Sequence, residues 1–319
     1  QHAKAPHYWK NYVKNKPILI SEYGDWEYYA HNAGFNQKEF KDLQSEERTS
    51  RQLRGFGQKR LLQQALNYQE SHNDNLSGKI LGDANWLMFD YKRGYAEDIE
   101  SSGIMDIMRI PKFSYYFYQS QCHVKPSSLF HKPVLFIANY WKTQADTVVK
   151  VFSNCDQVEL FLNGKSIGRQ SPDQDANSTN LKHPPFTFKV PSFEPGKLEA
   201  IGYLNKKRII DTFVETSAET YTLKIEVDES GKKLEAGVND VVFVYVYLMD
   251  RKENVVYDGE NMVCLHITKG DAEIVGPESV KAEAGIASFL LKIGEKKSVI
   301  ELKATSERLQ NGVIWVNSL

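Results

Sequence analysis

The sequence predicts an α/β segment followed by two all-β domains, and three observations carry that reading. Strand-like and helix-like stretches alternate up to about residue 120. Short runs with a period of two take over after Gln121, and a third texture with its own turn spacing begins near Ala218. At 319 residues the chain is long enough for two domains or more, at about 150 residues each. The expected boundaries are 1–122, 123–217 and 218–319.

The opening stretch, QHAKAPHYWKNYVKN, reads as the tail of a helix begun upstream of residue 1. Pro17 to Ser21 (PILIS) is a short apolar run of the kind a parallel sheet buries on both faces. A long loop from Tyr23 to about Gln44 follows. Ser45-Glu46-Glu47 predicts a helix start, since Ser caps well and early acids suit the positive helix end. Leu53, Phe56, Leu61, Ala65 and Tyr68 give that helix an apolar face, and Asn73-Asp74-Asn75 with Gly78 ends it. Lys79 to Phe89 (KILGDANWLMF) reads as a second buried strand, and a polar loop carries Asp90 to Arg109. Ile110-Pro111-Lys112 then opens a second helix, PKFSYYFYQSQ, with Pro at an early position. Two βα units cannot close a parallel sheet alone. They look like the last quarter of a (β/α)8 barrel, where chemistry sits at the ends of the strands, and Glu22 and Asp90 fall at such ends.

Beyond Gln121, Val148 to Phe152, Val158 to Leu162, Phe186 to Val190 and Leu198 to Tyr203 read as strands. Asn163-Gly164 between Leu162 and Lys165 is a two-residue hairpin signal. Together they predict an antiparallel sandwich from about Lys132 to Thr216. Thr222 to Val227, Val241 to Leu248, Val263 to Ile267, Ala287 to Ile293 and Val299 to Ala304 predict a second, Ig-like sandwich.

Bulk composition excludes several classes. The formal net charge is -1 with no basic stripe, so nucleic acid is not an expected partner. No apolar run approaches the ~20 residues of a membrane span. Cys122, Cys155 and Cys264 lie far apart, and an odd count argues against a disulfide framework. His31, His72 and His123 are dispersed, so no metal site is expected, and Asn163-Gly164-Lys165 is a turn rather than a phosphate loop. Asn177-Ser178-Thr179 is a formal glycosylation sequon. Aromatics make up 12% of residues, which suits β packing and carbohydrate contact alike.

The chemistry-bearing candidates cluster around Glu22. A strand-end carboxylate can pair with a neighbouring Lys or Arg and do nothing more. It can also attack an anomeric carbon, being a weak base yet a competent nucleophile. Retaining glycosidases set a second carboxyl about 5–5.5 Å away to protonate the leaving oxygen. Tyr23 can donate a hydrogen bond to a carboxylate. Trp26 and Trp86 offer flat faces to the C–H face of a sugar, while Asp25, Asn85, Asp90 and Lys92 can bind hydroxyls. Trp86 serves equally as core packing, and Asp90-Tyr91-Lys92-Arg93 equally as a solvated loop.

KPILISEYGDW, Lys16 to Trp26, resembles the nucleophile strand of glycoside hydrolase family 2, the β-galactosidase and β-glucuronidase family. GDANWLMFDYKRGY resembles that family's strand eight, and GIMDIMRIPKFSYYFYQSQ its closing segment. NCDQVELFLNGKSIGR resembles the sandwich that follows the barrel in many bacterial members. The resemblance implies that Glu22 is the nucleophile and that Trp86 lines the sugar subsite. Asp25 stands where some galactosidases have a His. The acid/base Glu of the family would lie upstream, in a barrel segment of the same polypeptide, so this portion alone is expected to be inactive. Glucuronidases carry Asn-x-Lys where this chain has Glu100-Ser101-Ser102, and a Glu there is expected to repel a uronate, which favours a β-galactoside. The implied chemistry needs no cofactor, and the implied location is periplasmic or secreted, in a bacterium. Contacts with a second copy would be ordinary in this family. The competing reading is a non-catalytic carbohydrate-binding or interdomain scaffold, which an open aromatic row such as Tyr245 and Tyr247 on one strand face would favour.

Overall fold

The computed structural model describes residues 16–24, 44–78, 80–125, 128, 131–144 and 147–319. Asp25, Trp26, His31 and the opening stretch to residue 15 lie outside the described residues. The chain divides into two compact units, Gln1–Thr216 and Ser217–Leu319. The boundary expected near residue 122 falls inside the first of them.

The first unit opens on strand β1 (Ile18–Tyr23). Helix α1 spans Gln58–Leu76, strand β2 Ile80–Asn85, two short strands β3 (Tyr91–Lys92) and β4 (Ile99–Glu100) follow, and helix α2 is Phe113–Ser120. β1 and β2 pair in parallel, Ile18 opposite Ile80 and Tyr23 opposite Asn85. Ile20 and Tyr23 are buried, while Leu19 and Leu81 are 64% and 77% exposed.

The helix expected from Ser45 starts thirteen residues later. Ser45–Arg48 is one 3-10 turn, with Glu47 accepting from the Gln44 amide at 2.9 Å. The turn cannot propagate because the buried Gln52 carboxamide takes the Glu47 and Thr49 carbonyls at 2.8 and 2.7 Å. Those are acceptors a growing helix needs for its own ladder. Gly57, at φ 87, then lets the chain turn into α1. Phe56 is consequently outside the core, 44% exposed, with the Arg60 guanidinium 4.0 Å over its ring. Leu61, Ala65 and Tyr68 are fully buried, as their spacing predicts.

α1 also buries Gln63, Gln64, Asn67, Gln69, Ser71, Asn73 and Asn75, an unusual load of amides for a helix. Two of its faces meet backbone rather than hydrocarbon, and amides satisfy backbone. Gln64 donates to the Ser50 carbonyl at 2.7 Å and, at 3.3 Å, to those of Ser101 and Gly103, while accepting from the Ser114 hydroxyl at 2.8 Å. Toward the other side, Gln69 donates to the Asn177 carbonyl and the Ser178 hydroxyl, and Asn73 donates to the Ala176 carbonyl.

The rest of the unit is antiparallel. β5 (Leu135–Ile137), β6 (Val148–Ser153) and β9 (Phe186–Lys189) form one sheet in the order β5-β6-β9. β7 (Gln157–Leu162), β8 (Lys165–Gln170), β10 (Lys197–Leu204) and β11 (Lys207–Glu215) form another, ordered β11-β10-β7-β8. Alternation packs Val149, Val151, Phe186 and Phe188 of one sheet with Val158, Leu160, Leu198 and Ala200 of the other in a common core. Asn163 and Gly164 make the expected two-residue turn, at φ 49 and 81. Phe113 and Phe117 of α2 share a cluster with Phe152 and Leu181, so helices and sheets are one folding unit.

The second unit has two four-stranded sheets. One is ordered β12-β13-β17-β15: β12 (Thr222–Asp228), β13 (Val241–Met249), β15 (Ala272–Val275) and β17 (Ile286–Ile293). The other is β16-β14-β18-β19: β14 (Met262–Lys269), β16 (Ser279–Lys281), β18 (Val299–Thr305) and β19 (Gly312–Asn317). Val244, Val246, Phe289 and Leu291 meet Val263, Leu265, Ile300 and Leu302 between them. The chain is thus mostly β. Among the described residues no helix is long and apolar enough to cross a membrane.

Replacing Gln64 with Leu takes the side-chain donor from the Ser50 and Gly103 carbonyls and the acceptor from the Ser114 hydroxyl in the interior. The variant is expected to lose at least about 2 kcal/mol of unfolding free energy. Urea denaturation of the first unit checks it, and an unchanged midpoint would show that water replaces the amide.

Candidate functional site

Glu22 and Trp86 reach the same face through strand register. The Trp86 amide extends the parallel ladder by donating to the Tyr23 carbonyl at 2.8 Å. Tyr23 and its partner Asn85 look toward the helices, where both line a cavity of about 550 Å³ with His72, Asp83 and Tyr118. Successive residues of a strand project to opposite faces. Glu22, one before Tyr23, and Trp86, one after Asn85, therefore project away from the side that Tyr23 and Asn85 line. Glu22 is half-buried there and Trp86 is 37% exposed. The peptide joining Trp86 to Leu87 is cis. Gly24, directly after the strand, is fixed by space and conformation. It sits at φ 107, and a Cβ on it would lie 2.5 Å from the Tyr68 ring and 2.9 Å from the Asn85 amide nitrogen.

Tyr23 and Asn85 are thus placed apart from the sugar-facing side expected of them. The Tyr23 hydroxyl accepts from Tyr118 at 2.9 Å and lies 3.5 Å from His72 Nδ1. Burial above all, with Tyr118 and Asp83 adding to it, pushes its phenol well above the ordinary range. It is a neutral support for the strand end rather than a donor to Glu22. His72 holds Asp83 at 2.7 Å. Burial raises the Asp83 carboxyl, but the His72 contact and the Asn75 amide outweigh it and leave a net lowering. The Asn85 amide nitrogen is buried with no hydrogen-bond partner among the described residues.

Asp90 is likewise an interior group. It is 2% exposed, accepts from Lys112 at 2.8 Å and from the Gly103 amide at 2.9 Å, and Lys112 is itself 1% exposed. A carboxylate so enclosed does not meet a substrate hydroxyl; it ties the foot of the β3–β4 hairpin to the start of α2. Burial carries its carboxyl up to about 7, against the pull of Lys112. Lys92 stands exposed on the hairpin and donates across it to the Glu97 carbonyl.

Glu100 corrects another expectation. It is 2% exposed and paired with Arg93 and, at 3.2 Å, with Arg51, while the Ser102 hydroxyl donates to it at 2.7 Å. Two guanidinium groups thus offset the charge that the sequence alone assigns to this position. Arg51 was hidden because its partner is 49 residues away in sequence. Lys112 was legible only as a residue of the helix start. Tyr91, whose ring meets Trp86 edge-on at 6.3 Å, was readable from its place beside Asp90.

A neutral comparison with known proteins fits this architecture. The family model described as "Domain of unknown function (DUF4982)" matches residues 144–210, within the sheets β6 to β11. A β-galactosidase of Thermoanaerobacter pseudethanolicus is 28% identical over 244 residues, 71% of this chain and 32% of the relative. A putative β-glucuronidase of Formosa agariphila is 31% identical over 212 residues, 62% of this chain and 19% of the relative. A solved β-glucuronidase from glycoside hydrolase family 2 superposes with a TM-score of 0.68 at 20% identity, covering 95% of this chain and 32% of that one. In fold and in sequence the chain is thus similar to the C-terminal part of β-galactosidases and β-glucuronidases of glycoside hydrolase family 2. It spans a third or less of the curated relatives named here.

Lys112→Met leaves the Asp90 carboxylate buried without its cation. The loss of stability is expected at about 3–5 kcal/mol at pH 8, and smaller at pH 5. The sign follows from titration. The folded carboxyl ionises at about 7, the unfolded one near its ordinary value of about 4. Its stabilising share is therefore complete below about pH 4 and lost as pH rises through about 7. Denaturation curves of both proteins from pH 4 to 8 check this, and a pH-independent difference would refute it.

Proposed function

We propose that the chain is the C-terminal portion of a retaining exo-β-glycosidase, with Glu22 as nucleophile. The observation that carries this is the register: one carboxylate and one half-exposed indole, both at the C-terminal ends of neighbouring parallel strands. The two βα units are the last of a (β/α)8 barrel. The exposure of Leu19 and Leu81 supports this, because upstream strands of the same polypeptide would cover them. The sheets that follow form the two Ig-like sandwiches.

In the reaction Glu22 attacks the anomeric carbon as the bond to the leaving oxygen breaks. An upstream carboxylic acid protonates that oxygen. The same upstream group then deprotonates water, which displaces the sugar and returns Glu22 as a carboxylate. Trp86 stacks on the sugar. The preferred substrate is a terminal β-galactoside, as the relatives named β-galactosidase suggest. A β-glucuronide is the second reading, favoured by the cancelled charge of Glu100 and by the relatives named β-glucuronidase. A pure binding scaffold is less well supported, because Tyr245 is only 7% exposed on the strand face that would have to be open. We place the protein in the periplasm or outside the cell, where its polymeric substrates are.

Incubating the full-length parent protein with 2-deoxy-2-fluoro-β-galactosyl fluoride is expected to trap a glycosyl ester on Glu22, mapped by peptide mass spectrometry. Glu22→Gln is expected to lower kcat by a factor on the order of 10⁴ or more. Label on another carboxylate in an active protein would overturn the assignment. Label from only the glucuronosyl analogue would select the second reading.

A further inference from the structure

We propose that the hairpin from Tyr91 to Glu100 is the platform for the leaving-group sugar, with Tyr95 as its stacking ring; this rests on the glycosidase reading above. Three aromatic residues, Trp86, Tyr91 and Tyr95, lie on the strand end and the hairpin that follows it. Trp86 stands at the end of β2, Tyr91 meets it edge-on at 6.3 Å, and Tyr95 projects from the hairpin tip. Trp86 and Tyr91 are each 37% exposed and Tyr95 is 84% exposed.

The foot beneath them is anything but loose. Glu100 is gripped by Arg93 and Arg51, Tyr91 pairs with Glu100 across the short ladder, Lys112 holds Asp90, and Lys92 closes onto the Glu97 carbonyl. A fixed base under an open ring is how a protein presents aromatic area at low entropic cost. The chemistry suited to it is the C–H face of a pyranose. The ring nearest Glu22 belongs to the sugar being cleaved off, so rings farther out along the hairpin meet the residue that departs.

The test is made on the full-length parent protein with two substrates of one cleaved sugar: β-galactosyl fluoride, whose leaving group has no ring, and a β-galactosyl disaccharide. The glucuronosyl pair replaces them where that is the sugar cleaved. Tyr95→Ala is expected to lower kcat/KM for the disaccharide about three- to tenfold while leaving the fluoride within about twofold, and Tyr95→Trp to restore the disaccharide rate. The thermal midpoint should not move, since the ring is exposed. Equal losses on both substrates, or no loss on either, overturn the platform while leaving Glu22 catalysis intact. A parent protein that cleaves neither substrate defeats the glycosidase reading, and the platform with it.

Discussion

Everything around the strand ends hangs on a three-residue turn, Ser101–Gly103, whose carbonyls are all claimed from below. The Ser101 oxygen accepts from the Gln52 amide, the Gln64 carboxamide and the Lys112 ammonium. Tyr68 takes the Ser102 oxygen and Gln64 the Gly103 oxygen. Through those donors the turn joins the loop before α1, α1 itself and the start of α2. On its other side, Glu100 draws in Arg51 and Arg93, and the Gly103 amide reaches Asp90. A cation and a carboxylate enclosed together are weak assets for stability as such. They are strong devices for allowing only one arrangement, because every alternative leaves a buried charge unpaired. Here that arrangement fixes where the hairpin stands relative to Trp86.

This also explains which features could be read in advance. The sandwich strands were legible because alternation is a local signal: Val158, Leu160 and Leu162 are buried, with the less buried Glu159 and Phe161 between them. β11 and β19 were not, because edge strands carry charge and exposed apolar groups without a clean period. The start of α1 was misread because Gln52, a residue with no periodic signature, diverts the carbonyls that would have extended the first turn. The positions of Glu22 and Trp86 at the ends of paired strands were legible in the sequence. Tyr23, Asn85 and Asp90 were assigned to the sugar because a sequence shows that a side chain can hydrogen-bond but not which face it leaves by. One bulge between Ile20 and Tyr23 settles that question for the strand.

Charge carries the same lesson further. Read singly, Glu100 is a negative group in the position where a uronate would need a positive one. Read with its neighbours, it is paired with two guanidinium groups that offset its charge. Exclusion of a substrate by a single charged residue holds only where that residue is solvated and alone. Buried at the root of a hairpin, Glu100 holds Arg93 and Arg51 in place. On the glycosidase reading proposed above, the choice between a neutral and an acidic sugar then passes to groups nearer Glu22, and the choice of leaving group to the hairpin that the same carboxylate anchors.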